Sequence, residues 1–237
     1  MQFANRPLYL QVRDALAERI ASGGLLPGAA FPSESDLARE IGVSAGTVRK
    51  ALQLMEIDRL IVRHQGRGTF VSDLNSDEFA ARFTRLHGPD GRRLRGQTNA
   101  VDIKHGVAGE VERERLGLSA GAEVYRVHRV RHHNGAAFMV EDAVLPAELF
   151  PGLSERSEIA DPIMVLAKEY GLLLGTAHER VSVAIAPEAV TRALRASLDT
   201  PMVVLDRVVS TIDNHRPVEW RLAYSHLPGS YYVAELR

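Results

Sequence analysis

No cysteine occurs among the 237 residues. That excludes disulfides and zinc sites built on thiolates, and it fits a reducing cytoplasm. Net charge is nearly absent as well: 29 Lys and Arg stand against 30 Asp and Glu, a formal −1. Overall charge therefore lends nucleic-acid binding no support, and such binding has to rest on a local basic surface. There is no apolar run long enough to span a membrane. The opening stretch MQFANRPLYLQVRDAL lacks the charged-then-apolar plan of a signal peptide, so the expected location is the cytoplasm. Also missing are a nucleophile motif, a metal-ligand cluster and a phosphate loop, so neither catalytic residue nor cofactor is expected. His132-His133 is the one tight His pair, and adjacent strand residues point to opposite faces, which makes a poor chelate and no expected metal site.

What is present reads as a folded chain of one large or two ordinary domains, 45% hydrophobic and 25% charged. Leu8, Val12, Leu16 and Ile20 recur at helical spacing, and Gly23-Gly24 and Pro27-Gly28 end that helix. Residues 33–71 then read SESDLAREIGVSAGTVRKALQLMEIDRLIVRHQGRGTFV. Ser33 suits an N-cap for a helix through Ile41, with Asp36 completing an approximate capping box, and Gly42 supplies the positive φ of a sharp turn. Ser44 can cap a third helix over 45–57, with Val48, Leu52 and Met55 on its apolar face. Ile61-Val62 and Thr69-Phe70-Val71 flank Gln65-Gly66-Arg67-Gly68 as a hairpin. Two helices across a tight turn with a Gly-rich hairpin beside them is the plan of a winged DNA reader.

Side chains placed to read DNA follow from that plan. Ser33 and Ser44 sit at helix starts. Thr47 can bond a phosphate or base, Arg49 can grip guanine O6 and N7, and Lys50 suits a phosphate. On the hairpin, Arg67 lies between Gly66 and Gly68, where it can enter a narrow minor groove, and Arg63 and His64 line the same strand. Each Arg alone equally suits a solvated surface; the combination favours DNA.

Residues 72–99 are polar and carry Arg92, Arg93 and Arg95; Phe79 and Phe83 argue against complete disorder. Beyond them a weak repeat appears at a shift of 78: Leu116 falls on Leu194, Arg129 on Arg207, Val140 on Val218 and Glu141 on Glu219. Each half reads helix, strand, turn, strand, with a helical stretch over 162–170 and a strand around 178–186 between them. Hairpins and helices without βαβ alternation predict an α+β domain with an antiparallel sheet. A first hairpin centred on Gly135 sets Arg129 opposite Glu141, with Arg131 two positions away on the same face. A second, centred on Asp213, sets Arg207 opposite Glu219. Such Arg and Glu pairs suit a grip on a small anionic or polar effector and equally suit cross-strand ion pairs; for Arg207–Glu219 the structural reading is favoured.

Residues 7–71 resemble the winged helix of GntR-family bacterial transcription regulators. The resemblance rests on Pro7-Leu8-Tyr9, Leu26-Pro27-Gly28, Pro32-Ser33-Glu34, Leu37-Ala38, Gly42-Val43-Ser44, Thr47-Val48-Arg49-Lys50-Ala51-Leu52 and Gly66-Arg67-Gly68-Thr69-Phe70. Many members have Arg after the Ser that starts the recognition helix, where this chain has Ala45-Gly46; discrimination is therefore expected to lean on Arg49 and the hairpin. Residues from about 79 onward resemble the UTRA effector domain of the HutC-type branch, through Leu116-Gly117-Leu118, Val127-His128-Arg129-Val130-Arg131, Val140-Glu141, Leu145-Pro146, Phe150-Pro151-Gly152-Leu153, Tyr170-Gly171 and Pro217-Val218-Glu219. The resemblance implies a fold similar to chorismate lyase and an effector pocket that includes Arg129, Arg131, Glu141 and Glu219, with Tyr224 as a further neighbour. Relatives that hold phosphosugars often carry Ser-Leu-Tyr where this chain has Asp161-Pro162-Ile163. Asp161 would repel a phosphate, so a carboxylate or amine is expected, histidine-pathway intermediates among the choices.

The expected division is a DNA-binding domain over 1–72, a linker with the first elements of the second domain over 73–99, and an effector-binding and dimerisation domain over 100–237. The expected function is a dimeric, effector-controlled regulator, a repressor, on a palindromic double-stranded operator, with a small metabolite as second partner and no membrane. The alternative is an enzyme of chorismate-lyase-like fold that processes a small carboxylate and carries an appended DNA reader.

Overall fold

A computed structural model describes residues 6–73, 83–94, 96–156, 162–212 and 215–234. The chain divides into two compact units. One comprises Met1–Ala80 with Ala167–Thr176 and Thr211–Arg216; the other comprises Ala81–Leu166, Ala177–Ser210 and Pro217–Arg237. Phe79, Arg95, Asp161 and Asp213, each given a role above, lie outside the described residues.

The first unit holds α1 (Leu8–Ala21), α2 (Glu34–Ile41), α3 (Ala45–Ile57) and an antiparallel hairpin of β1 (Ile61–His64) and β2 (Gly68–Val71). The periodic residues face its core: Val12, Leu16 and Ile20 from α1, Leu37 from α2, and Val48, Ala51, Leu52 and Met55 from α3 are buried. Leu8, read as part of the α1 face, is half exposed. Ser33 caps α2 by accepting from the Asp36 N–H at 3.2 Å, and Gly42 ends it in the left-handed conformation at φ 77°. Ser44 caps α3 through the Thr47 N–H at 3.1 Å. The three helices and the hairpin therefore stand where capping and periodicity put them.

The second unit is built on a six-stranded antiparallel sheet. Its strands are β4 (Gln97–Val107), β5 (Glu123–His133), β6 (Ala136–Pro146), β7 (Leu174–Ile185), β8 (Pro201–Thr211) and β9 (Pro217–Ser225), in spatial order β4-β5-β6-β9-β8-β7. Helix α4 (Glu110–Leu116) precedes β5, α5 (Ile163–Glu169) precedes β7, and α6 (Glu188–Ala193) precedes β8. Strand β3 (Leu86–His87) pairs with β10 (Tyr231–Tyr232). The expected α+β class with an antiparallel sheet is what the chain forms. Strand β7 starts four residues before the predicted 178, because Gly175 and Thr176 hide the alternation that marks a strand.

Strand order makes the repeat spatial. Each half is strand, helix and hairpin: β4, α4, β5, β6 and then β7, α6, β8, β9. The halves meet at β6 and β9, where Ala143 pairs with Arg221, its own counterpart at the shift of 78. A local pseudo-twofold axis thus passes through the middle of the sheet. The first hairpin has the predicted register, Arg129 opposite Glu141, across an Asn134-Gly135 turn with both φ positive. The second does not. Val209, not Arg207, lies opposite Glu219, and Arg207 faces Arg221. An irregularity after Val209 and a longer loop slide β9 by two residues relative to a hairpin centred on Asp213.

Candidate functional site

The reading surface of the first unit is α3 and the β1–β2 wing. Ser44, Arg49 and Lys50 are exposed on α3, and Thr47 is half-buried beside Ser44, to which its hydroxyl is bonded at 2.8 Å. Ser33 is exposed at the start of α2. The Lys50 ammonium lies 4.0 Å from the ring centre of Tyr9. At the wing tip Gly66 and Gly68 take φ of 72° and 109°, and Arg67 between them is exposed. His64 packs 5.5 Å from the Phe70 ring, which fixes the wing strand it stands on. One residue was missed as a determinant. Glu34 accepts from Arg49 Nε at 2.8 Å and lies 3.8 Å from Arg63, which also meets Glu56 at 3.3 Å. A carboxylate therefore sits inside the basic surface and positions its two arginines.

In the second unit, the pleat gathers charge on one face of the sheet. Arg129, Glu141, Arg207, Glu219 and Arg221 are each between 1% and 6% exposed. Arg129 Nη1 donates to Glu141 at 3.3 Å and lies 3.9 Å from Glu219. Arg207 donates to Glu219 at 3.1 Å and to the Phe83 carbonyl at 3.2 Å. Arg221 bridges Glu141 at 3.1 Å and Glu179 at 3.3 Å, and the Tyr232 hydroxyl donates to the other oxygen of Glu179 at 2.8 Å. Burial opposes ionisation of Glu141, but Arg221, Arg129, Arg131 and Arg207 outweigh it and hold the carboxyl at about 2. For Arg131 burial wins over Glu141 and pulls the guanidinium below its ordinary value. Burial and the bond to Glu179 push the Tyr232 hydroxyl up to about 12.

These charges are not all satisfied. Arg129 Nε and Nη2 and the Nε atoms of Arg131, Arg207 and Arg221 are buried without a partner. Among the described residues Arg131 has no ion pair, only the Phe138 ring at 5.9 Å. Beside the cluster lies a cavity of about 10 Å³, lined by Arg85, Arg131, Arg221 and Glu179 and walled by Leu86, Leu94, Phe138 and Leu205. Four arginines and three glutamates leave the cluster one positive charge in excess. Buried donors facing such a space suit an anionic partner.

Of the predicted effector residues, Arg129, Arg131, Glu141 and Glu219 come together here. Tyr224 does not. It lies on the opposite face, packed against Val140, Val190, Leu194 and Met202, because even positions of β9 point away from the cluster. Arg207, read as structural, and Arg221, Glu179 and Tyr232 were not singled out. Arg221 pairs with an alanine counterpart, so the repeat hid it, while Glu179 stands on the strand placed least well.

That opposite face carries a wider groove of about 590 Å³ over Trp220, Leu222 and Val144. Its polar side chains are matched in pairs: Lys104 with Asp102 at 2.8 Å, Arg126 with Glu112 at 2.6 Å, His128 with Asp142 at 2.7 Å. With its ions already paired it makes a weaker ligand site than the smaller cavity, whose guanidinium atoms lack partners.

Comparison with known proteins matches both units. Residues 8–71 match the model of bacterial regulatory proteins of the gntR family, and residues 91–228 match the UTRA domain. The mannosyl-D-glycerate transport/metabolism system repressor MngR of Escherichia coli K12 is 27% identical over 84% of this chain and 83% of its own. The histidine utilization repressor of Pseudomonas putida is 30% identical over 61% of this chain and 59% of its own. Among solved structures, PhnF from Mycobacterium smegmatis superposes with a TM-score of 0.56 at 26% identity, covering 95% of this chain and 99% of that one.

Proposed function

Because the chain belongs to the GntR family of bacterial regulatory proteins, in its UTRA-bearing, HutC-type branch, we infer that it is a DNA-binding transcription regulator controlled by a small molecule. The observation that carries the reading is a pairing of two surfaces in one chain. One is an exposed, capped helix with a Gly-Arg-Gly wing. The other is a buried charge cluster with unpartnered guanidinium atoms. The first suits a major groove and its flanking minor groove; the second suits an anionic effector.

The finer reading is a cytoplasmic repressor that acts as a homodimer on a palindromic operator, since one winged helix spans too few base pairs to be selective. Residues 1–72 read DNA, 73–99 link, and 100–237 bind effector and dimerise. Arg129, Arg131, Glu141 and Glu219 belong to the effector site; Ser33, Ser44, Thr47, Arg49, Lys50, Arg63, His64 and the Gly66-Arg67-Gly68 tip meet the DNA. Relatives named as repressors support the sign of regulation. The test is a gel-shift titration of duplexes from the chain's own genomic neighbourhood at several salt concentrations, with sedimentation of the complex. Affinity should fall steeply with salt and depend on sequence, with two copies per duplex. Affinity indifferent to both salt and sequence would sink the regulator reading.

A further inference from the structure

The pseudo-twofold repeat sorts the charge cluster into two groups. Arg129 and Glu141 have counterparts of the same type, Arg207 and Glu219, 78 positions on. Arg131, Arg221 and Glu179 do not: Val209, Ala143 and Val101 stand at the corresponding positions. The three charges without counterparts line the small cavity together with Arg85, and none of the four duplicated charges lines it. A duplicated pair on either side of the axis behaves as a frame common to both halves. Charges present on one half alone, gathered around one cavity, are what an asymmetric ligand requires.

The cavity's chemistry narrows that ligand. Arg131 and Arg221 present buried Nε–H donors without partners, which matches a carboxylate. Glu179 is an acceptor at the same cavity, where one oxygen takes the Arg221 guanidinium and the other the Tyr232 hydroxyl, a neutral donor that a ligand's ammonium can displace. Leu86, Leu94, Phe138 and Leu205 offer apolar walls. Resting on the effector reading above, we propose that the effector is a small carboxylate with an apolar body and an ammonium or hydroxyl donor, apolar α-amino acids being the simplest class. Arg131 and Arg221 take its carboxylate, Glu179 takes the donor, and Arg129, Glu141, Arg207 and Glu219 frame the site.

Direct titration of the full chain tests this with L-leucine and L-phenylalanine, their des-amino acids 4-methylpentanoate and 3-phenylpropanoate, the amines 3-methylbutylamine and 2-phenylethylamine, and glucose 6-phosphate. An amino acid should bind at least about tenfold tighter than its des-amino acid, the scale of one hydrogen bond to a charged group, and the amines and the phosphate should not bind. Glu179→Gln, checked by its own melting curve, should bring the ratio of the amino acid's Kd to the des-amino acid's Kd to near one, whatever the change in the des-amino acid's own Kd. Arg131→Met should abolish binding of both. No binding by any probe, or discrimination intact in Glu179→Gln, overturns the proposal. Operator release by glucose 6-phosphate alone overturns this ligand class yet leaves the regulator reading standing. Loss of sequence-specific DNA binding in the gel shift is the separate failure of that reading.

Discussion

Arg49 is the residue on which base reading was expected to rest, and Glu34 complicates it. Its Nε is committed to that carboxylate at 2.8 Å, so the guanidinium is oriented but its charge is partly cancelled. Arg49→Ala should cost about 1–3 kcal/mol of operator discrimination, measured as the ratio of specific to random-duplex affinity. Glu34→Gln should act the other way on random duplexes. It removes one negative charge from the phosphate-facing surface, so non-specific affinity should rise about threefold and discrimination should fall. In the second unit, Glu141 links protonation to stability. Its folded carboxyl titrates at about 2 against an ordinary 4.5. A depressed folded value means the stabilisation is fully present above pH 4.5 and is lost as pH falls toward 2. Glu141→Gln strands Arg221 and Arg129 in a buried site, so it should cost about 3–5 kcal/mol at neutral pH. Urea denaturation should show that gap constant from pH 7 to 5 and narrowing below pH 4.5.

At the scale of elements, the wing makes the sharpest prediction. Arg67 stands on glycines with φ of 72° and 109° and has no ion pair among the described residues, so its charge is free for DNA. Arg67→Ala should lower the slope of log affinity against log salt by about one, as expected for a single lost phosphate or groove contact. The hairpin and the two helices before it were legible because local chemistry specifies them: Ser33, Gly42, Ser44 and the two wing glycines each act within a few residues of themselves. The second hairpin shows where local reading ends. Its register depends on the irregularity after Val209 and on a loop that no turn dipeptide announces. Even so, the Arg207–Glu219 ion pair survives the two-residue slide as a diagonal contact at 3.1 Å. Arg221 and Glu179 were illegible for another reason: they meet only when β9 and β7 are placed in one sheet, and neither belongs to a motif.

For the molecule as a whole, the question is how a ligand among buried charges reaches a DNA reader joined to it through residues 74–82. Phe83 is the first described residue after that segment, and its carbonyl is tied to Arg207 at 3.2 Å with the ring 5.6 Å from the guanidinium. The cavity has room for about one water, so the proposed amino acid enters only when its lining moves, and Phe83 to Leu86 form one wall. On the proposed reading, movement of that wall loosens the Phe83 contacts to Arg207. Linkage demands that the factor by which effector changes operator binding equals the factor by which operator changes effector binding. Removing the tether should break that coupling. Arg207→Met with Glu219→Met replaces a buried ion pair by apolar side chains of similar size, an exchange that is often neutral or stabilising. The double variant should keep its operator affinity without effector, while effector, at a concentration shown by direct titration to saturate the variant, changes operator affinity by a factor near one. A coupling factor equal to that of the parent, measured by operator titration with and without saturating effector, would remove the Phe83 tether from the mechanism.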